Sequence, residues 1–221
     1  MKIVGINSSP KGENSQTLRL VNAVLDAAKA KGVETELVDL YKYNIQYCKG
    51  CFECHRTGTC IHNDDLSQIL NKIMESDGLV LGTPVFYSHV GAKIKTLIDR
   101  MGDPTHCLFM KEKYGCAVST SGIFGHEEAI EYLNFFMQFS GGWTLDGIGV
   151  PVSAGSETME EALQWSSILG EDLVKAIKLK ETFPEQDVLH QQTMECFKFQ
   201  IQMNKDWTHT YEYWLSKGWL D

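Results

Sequence analysis

The sequence predicts an α/β domain built on a doubly wound, five-stranded parallel sheet in the order 2-1-3-4-5, followed by a helical extension. Three observations lead there. Short apolar β-type runs alternate with helix-period stretches along most of the chain. One run, GLVLGTP at 78–84, is apolar without alternation, as suits a central parallel strand buried on both faces. The segments between runs hold helices of roughly ten residues or more, long enough for the right-handed crossovers that parallel strands require.

Taken in order, KIVGIN at 2–7 is the first strand, and a Ser/Gly/Asn-rich loop leads into a helix over about 15–31 with Leu18, Val21, Val24, Leu25 and Ala28 on one face. Gly32 supplies its stop. A second strand over 34–39 precedes a cysteine-rich loop at 46–62, after which Asp64 or Asp65 caps a helix carrying Leu66, Ile69, Leu70 and Ile73. The strand at 78–84 ends in an irregular loop and a helix over about 91–101. A fourth strand, YGCAVS at 114–119, enters a Thr-Ser-Gly loop before a helix beginning near His126, and GIGVPV at 147–152 is the fifth.

These elements define one domain over 1–180. The tail at 181–221 changes character: Gln, Met and aromatic residues dominate, with Trp207, Tyr211, Tyr213, Trp214 and Trp219 close together. It reads as a terminal helix laid across the sheet domain or a subunit partner; a cover over a ligand site is the sharper alternative.

Composition bounds the function. The 43% hydrophobic content of the 221 residues is that of a soluble globular protein. A net charge of -9, with 20 Lys and Arg scattered among 29 carboxylates, repels phosphodiester backbones, so no nucleic-acid partner is expected. No stretch approaches the roughly 18 to 20 apolar residues that span a bilayer. The first strand begins at the opening methionine, leaving no room for a signal peptide, so a cytoplasmic location is expected.

In a doubly wound sheet, ligands bind outside the carboxyl ends of the strands, between the first and third in this order. The loop after the first, SSPKGENSQT at 8–17, offers Ser8, Ser9, Asn14, Ser15 and Thr17 at the start of a helix, a cradle for a monophosphate; the same residues also serve as plain helix caps. It is neither a dinucleotide G-x-G-x-x-G nor a triphosphate-binding loop. The loop TPVFYSHVGA at 83–92 sets Pro84, Phe86 and Tyr87 at the same crevice, where they could border a planar ring. STSGIFGHE at 119–127 provides small residues for close backbone approach.

Four of the seven cysteines, Cys48, Cys51, Cys54 and Cys60, follow a C-x2-C-x2-C-x5-C pattern. Successive x2 spacing suits an iron-sulfur cube, as in bacterial ferredoxin runs. Zinc sites usually draw ligand pairs from separated knuckles, so zinc is the lesser alternative, beside unmetallated thiols or a disulfide. Cys107, Cys116 and Cys196 stand alone, and Cys116 reads as a small buried hydrophobe. His55 and His62 flank the cluster loop as solvent-exposed loop histidines, with tuning or substitution as ligands the alternative; His89 and His126 receive no catalytic role.

The segments GINSSPKGENSQT (5–17), the four-cysteine run, DDLSQI (64–69), DGLVLGTPVFYSHVGAKIKTLIDR (77–100) and STSG (119–122) together resemble the flavodoxin-like FMN reductases, and within them the iron-sulfur flavoproteins. The resemblance covers about 1–180. It implies an FMN phosphate on Ser9, Lys11, Asn14, Ser15 and Thr17, with Gln16 in the same cofactor-binding set. It implies the isoalloxazine on Pro84, Val85, Phe86 and Tyr87, with Ser119, Thr120, Ser121 and Gly122 completing the pocket. Lys11 stands where many relatives carry arginine and supplies charge without a planar fork. The resemblance further implies a [4Fe-4S] cluster on Cys48, Cys51, Cys54 and Cys60, and a homodimer or homotetramer.

Function follows as flavin chemistry with no protein nucleophile. The leading expectation is electron transfer between a [4Fe-4S] cluster, FMN and an acceptor, either a small molecule or a redox protein such as a ferredoxin. A cluster-free FMN or quinone reductase using NAD(P)H as co-substrate is the first alternative. A non-catalytic electron carrier or metal-binding module is the second.

Overall fold

The run at 2–7 forms β1 (Lys2–Asn7), buried from Ile3 onward, which places it inside the sheet and not at its edge. The computed structural model describes residues 1–220. Strands β2 (Glu34–Asp39) and β3 (Gly78–Phe86) flank β1 in parallel, with Ile3 opposite Thr35 on one side and Gly78 on the other. Beyond β3 come a short antiparallel return, β4 (His89–Val90), and the parallel strand β5 (Tyr114–Ser121). Two short strands, β6 (Trp143–Thr144) and β7 (Ile148–Pro151), run parallel along the other edge of β5.

The parallel positions therefore keep the expected order, with β2-β1-β3-β5-β6 as the path. Among the described residues, seven strands appear instead of five, with two local features behind the difference. The fifth position is broken between Thr144 and Ile148, where Leu145 still donates to the Gly115 carbonyl at 2.9 Å and Gly147 passes so close to β5 that an added Cβ would lie 2.6 Å from the Ala117 carbonyl oxygen. The third strand also runs past Pro84 to Phe86 and reverses through Tyr87 and Ser88.

Helices cover both faces. On one lie α1 (Gln16–Ala30) and α7 (Ser156–Leu179), which bury Leu20, Val24, Leu169 and Leu173 over β1, β3 and β5. On the other, α3 (Leu66–Met74), α4 (Ala92–Asp99) and α6 (His126–Phe139) bury Ile69, Ile94 and Leu133. Full burial of each such side chain stabilises by about 1.5 to 3 kcal/mol. Helix α1 begins at Ser15, whose hydroxyl accepts the Leu18 amide, and ends where Gly32 takes φ 80° and the Val33 amide reaches back to the Ala28 carbonyl.

Two short helices interrupt the loops: α2 (Glu53–Thr57) within the cysteine segment and α5 (Gly102–His106) directly after α4. The tail forms α8 (Pro184–Met203) and α9 (Thr208–Ser216). A third apolar cluster, with Phe197, Ile201, Trp207 and Trp214 around Leu108, fastens these helices to the domain beside the cysteine loop. No described helix is long and apolar enough to cross a membrane.

Candidate functional site

The carboxyl ends of β1, β3 and β5 bring the three expected loops together. Thr17, at the start of α1, meets Thr120, near the end of β5, hydroxyl to hydroxyl at 2.6 Å. Pro84 stands opposite Thr120 in the β3–β5 register. Ser9, Ser15, Thr17, Ser119, Thr120 and Ser121 are all buried, while Lys11, Asn14 and Gly122 are exposed and Gln16 is half-buried.

Several of these hydroxyls already have work. Ser15 Oγ caps α1, and Ser119 Oγ donates to the Thr83 carbonyl at 3.0 Å. Ser121 Oγ lies 2.8 Å from His126 Nδ1. The Leu18 amide is taken by Ser15, but the amides of Gln16 and Thr17 find no acceptor within the helix. Asn7 accepts the Ser9 amide through Oδ1 at 3.2 Å, while its Nδ2, fully buried, has no partner. Sequence does not mark Asn7, because it ends the strand and stands outside the loop. Its only signal is a polar residue closing an apolar run.

The hairpin joining β3 to β4 carries Phe86 and Tyr87 at its rim, with Pro84 and Val85 half-buried behind them. Both turn residues have positive φ, 48° at Tyr87 and 59° at Ser88. That is the backbone of a type I′ turn, which favours Asn and Gly. A tyrosine and a serine held there cost backbone energy, of order 1 kcal/mol or more each. Phe86, Tyr87, Ile123 and Phe124 leave an exposed apolar rim beside the crevice.

The second cluster is the cysteine loop. Cys48, Cys51, Cys54 and Cys60 all line one cavity of about 170 Å³, closed by Phe52, His55, Arg100 and His106. Cys48 and Cys51 are exposed, Cys54 and Cys60 half-buried, and none is in a disulfide. Burial raises the Cys54 thiol above its usual range. Among the described residues, the one group of three candidate ligand atoms mutually within 4.8 Å is Asp103, Cys107 and His209, which are already joined by hydrogen bonds.

Arg100 closes α4 and reaches into this loop with its side chain fully buried. Nη1 donates to the Gln46 carbonyl at 2.7 Å and to Asp64 Oδ2 at 2.8 Å, and Nη2 donates to Cys60 Sγ at 3.1 Å. Asp64 also accepts the amides of Gln46 and Leu66. Burial opposes ionisation of Asp64, yet Arg100 and those amides hold its carboxyl below the ordinary range. Asp65 stands at the N-cap of α3 without a side-chain cap bond, and its neighbour Asp64, with Arg100, ties together the two ends of the cysteine loop. No role for Arg100 follows from sequence alone, although an arginine ending the amphipathic helical stretch IKTLID is its visible trace.

The flanking histidines correct the expectation of exposed loop residues. His55 is 3% exposed, stacked on Trp207 at 4.1 Å between ring centroids and edge-on to His106 at 4.8 Å. Burial first, then neighbouring His106, lowers its pKa to about 4. His62 is half-buried and its Nε2 is sealed from solvent without a partner. For His55 the cause is the tail: Thr210 Oγ1 lies 3.0 Å from His55 Nδ1 and donates to Asp103, and Arg56 pairs with Asp206 at 2.9 Å. Cys116 is fully buried as expected, and burial pushes its thiol up to about 12.

A 2-1-3-4-5 parallel sheet with its polar loops gathered at the carboxyl edge defines a flavodoxin-like α/β protein. Its fold is shared with a solved flavodoxin from the domain Archaea, at a TM-score of 0.56 and 18% identity over 80% of this chain and 99% of that one. In sequence, an iron-sulfur flavoprotein of Archaeoglobus fulgidus is 31% identical with all of both chains covered. One of Methanocaldococcus jannaschii is 38% identical over 62% of this chain and 72% of its own length. The NADPH-dependent FMN reductase family matches residues 1–157. The chain belongs to that family, within its iron-sulfur flavoprotein subgroup, and is an FMN-dependent oxidoreductase.

Proposed function

We propose that the chain is a cytoplasmic electron-transfer flavoprotein that holds FMN at the β1, β3 and β5 loops and a [4Fe-4S] cluster on Cys48, Cys51, Cys54 and Cys60. One observation carries the cluster half of this reading: four thiols line a single cavity, and a buried guanidinium donates to one of the sulfurs. A mononuclear zinc with bonds near 2.3 Å draws its sulfurs to about 3.8 Å apart. Among the described residues no three of these thiols lie mutually within 4.8 Å, and a cube takes each cysteine on a different iron.

The FMN half rests on donor chemistry. Ser9 and Thr17, the free amides of Gln16 and Thr17, and the unpartnered Asn7 Nδ2 suit a phosphate and the polar chain behind it, with Lys11 and Asn14 at the open side. Pro84, Val85, Phe86 and Tyr87 border a ring, and the small residues Ser119, Thr120, Ser121 and Gly122 let its edge come close. When bound, FMN accepts electrons singly or in pairs and the cluster exchanges one at a time.

The chain's own part is to hold these groups near one another. Helix α4 is the single element between the ring-bordering hairpin and Arg100, and its eight residues rise about 12 Å. Lys93 on the same helix donates to the Tyr43 carbonyl, pinning the approach to the cysteine loop. Exposed Tyr47 and Phe52 beside Cys48 and Cys51 offer a face to a redox protein such as a ferredoxin. The apolar rim at Phe86, Tyr87, Ile123 and Phe124 suits a second copy of the chain, in a homodimer or homotetramer, or a small-molecule acceptor.

Anaerobic purification with iron, acid-labile sulfide, zinc and FMN quantified on one sample tests the reading. About four irons and one FMN per chain are expected. FMN without iron in a sample never exposed to air overturns the relay and leaves a reductase that uses NAD(P)H.

A further inference from the structure

We propose that Arg100 sets the reduction potential of the centre held by the cysteine loop, through its hydrogen bond to Cys60; this rests on the cluster reading above. The side chain is shut from solvent, and its partners fix its plane. Gln46, two residues before Cys48, and Asp64, four after Cys60, take three of its bonds. The fourth goes to Cys60 Sγ at 3.1 Å, and Nε has no partner. If Arg100 served only to staple the loop ends, the carbonyl and carboxylate would suffice; instead Nη2, 3.3 Å from Asp64 Oδ1, also donates to sulfur.

A donor bonded to a ligand sulfur stabilises the state in which that sulfur carries more negative charge, which is the reduced one. Buried positive charge acts in the same direction, and Asp64, 2.8 Å from the guanidinium, acts against it. Arg100 and Asp64 therefore pull the potential in opposite directions while performing one structural task together.

The test uses Arg100→Lys and Asp64→Asn in the full chain, loaded anaerobically, with iron and FMN content, thermal stability and the midpoint potential of the iron-sulfur centre measured on each. Lysine keeps the charge but cannot serve carbonyl, carboxylate and sulfur at once. The expected result is a lower midpoint in Arg100→Lys and a higher one in Asp64→Asn, with flavin content unchanged. Shifts of the same sign, or no shift in Arg100→Lys with iron retained, overturn the assignment and leave a purely structural pair. Resonance Raman of the loaded wild type in H2O and D2O needs no variant: an Fe-S stretch that moves on deuteration is expected, and its absence refutes the bond even if both variants misfold. Iron-free wild type sinks the cluster reading itself, and the assignment of Arg100 falls with it.

Discussion

The hydroxyls of Thr17 and Thr120, 103 residues apart in sequence, meet at 2.6 Å and lock the loop that opens α1 to the end of β5. Both are buried, so a lone hydroxyl left there finds no water. Thr120→Val strands the Thr17 hydroxyl and lowers stability by about 1 to 3 kcal/mol. It also weakens FMN binding by loosening two of the three loops. Urea unfolding and a flavin titration check both, and wild-type values in the two would contradict the lock.

Trp207 stacks on His55 and on Phe52, at 4.1 and 5.6 Å between centroids, so it packs against the cysteine helix α2 and not against the loops proposed to hold FMN. Trp207→Ala removes a buried aromatic and costs about 3 to 5 kcal/mol. The metal-free variant should alkylate at Cys54 faster than wild type while its FMN affinity stays put. Equal alkylation rates would show that the tail does not brace the loop.

Glu36 sits between Lys2, at 2.8 Å, and Lys72, and the hydrogen bond from Lys2, followed by that from Lys72, lowers its pKa below the usual 4.5. A carboxyl lowered in the folded state adds stability at pH values above its unfolded pKa and loses it as pH falls through the folded one. Glu36→Gln should therefore be less stable than wild type at pH 7, with the gap closing below about pH 4.5. Melting curves from pH 7 to pH 3 check this, and a gap that widens on acidification would reverse the sign.

At the α1–α7 crossing, a Cβ on Gly170 would lie 2.4 Å from the Val24 carbonyl oxygen, an atom of the backbone that cannot swing aside. Gly170→Ala forces the helices apart and costs about 1 to 3 kcal/mol, outweighing alanine's better helix propensity. A melting temperature at or above wild type would mean the crossing is looser than its geometry.

The sheet was legible because buried parallel strands write continuous apolar runs: KIVGIN and GLVLGTP both became strands at their expected positions. The break between Thr144 and Ile148 was not, since the approach of Gly147 to the Ala117 carbonyl involves a residue of another strand. Helices α2 and α5 escaped because five residues carry less than two turns of periodicity. At the candidate site, residues that advertise chemistry by type, the cysteines and hydroxyls, could be picked out. Asn7 and Arg100 could not, because their significance lies in an unpartnered nitrogen and a bond to sulfur. The burial of His55 was not legible because the residues that bury it, Trp207 and Thr210, come more than 150 positions later.

That separation also imposes an order on the newborn chain. The cysteine segment leaves the ribosome about 150 residues ahead of Asp206, which pairs with Arg56. At roughly 5 to 20 residues per second, the interval is on the order of ten seconds. Throughout that time α9 has not been made, so the nascent loop stands open on the side of His55. Under the cluster proposal, inorganic iron and sulfide would meet their readiest acceptor during synthesis, before the tail docks.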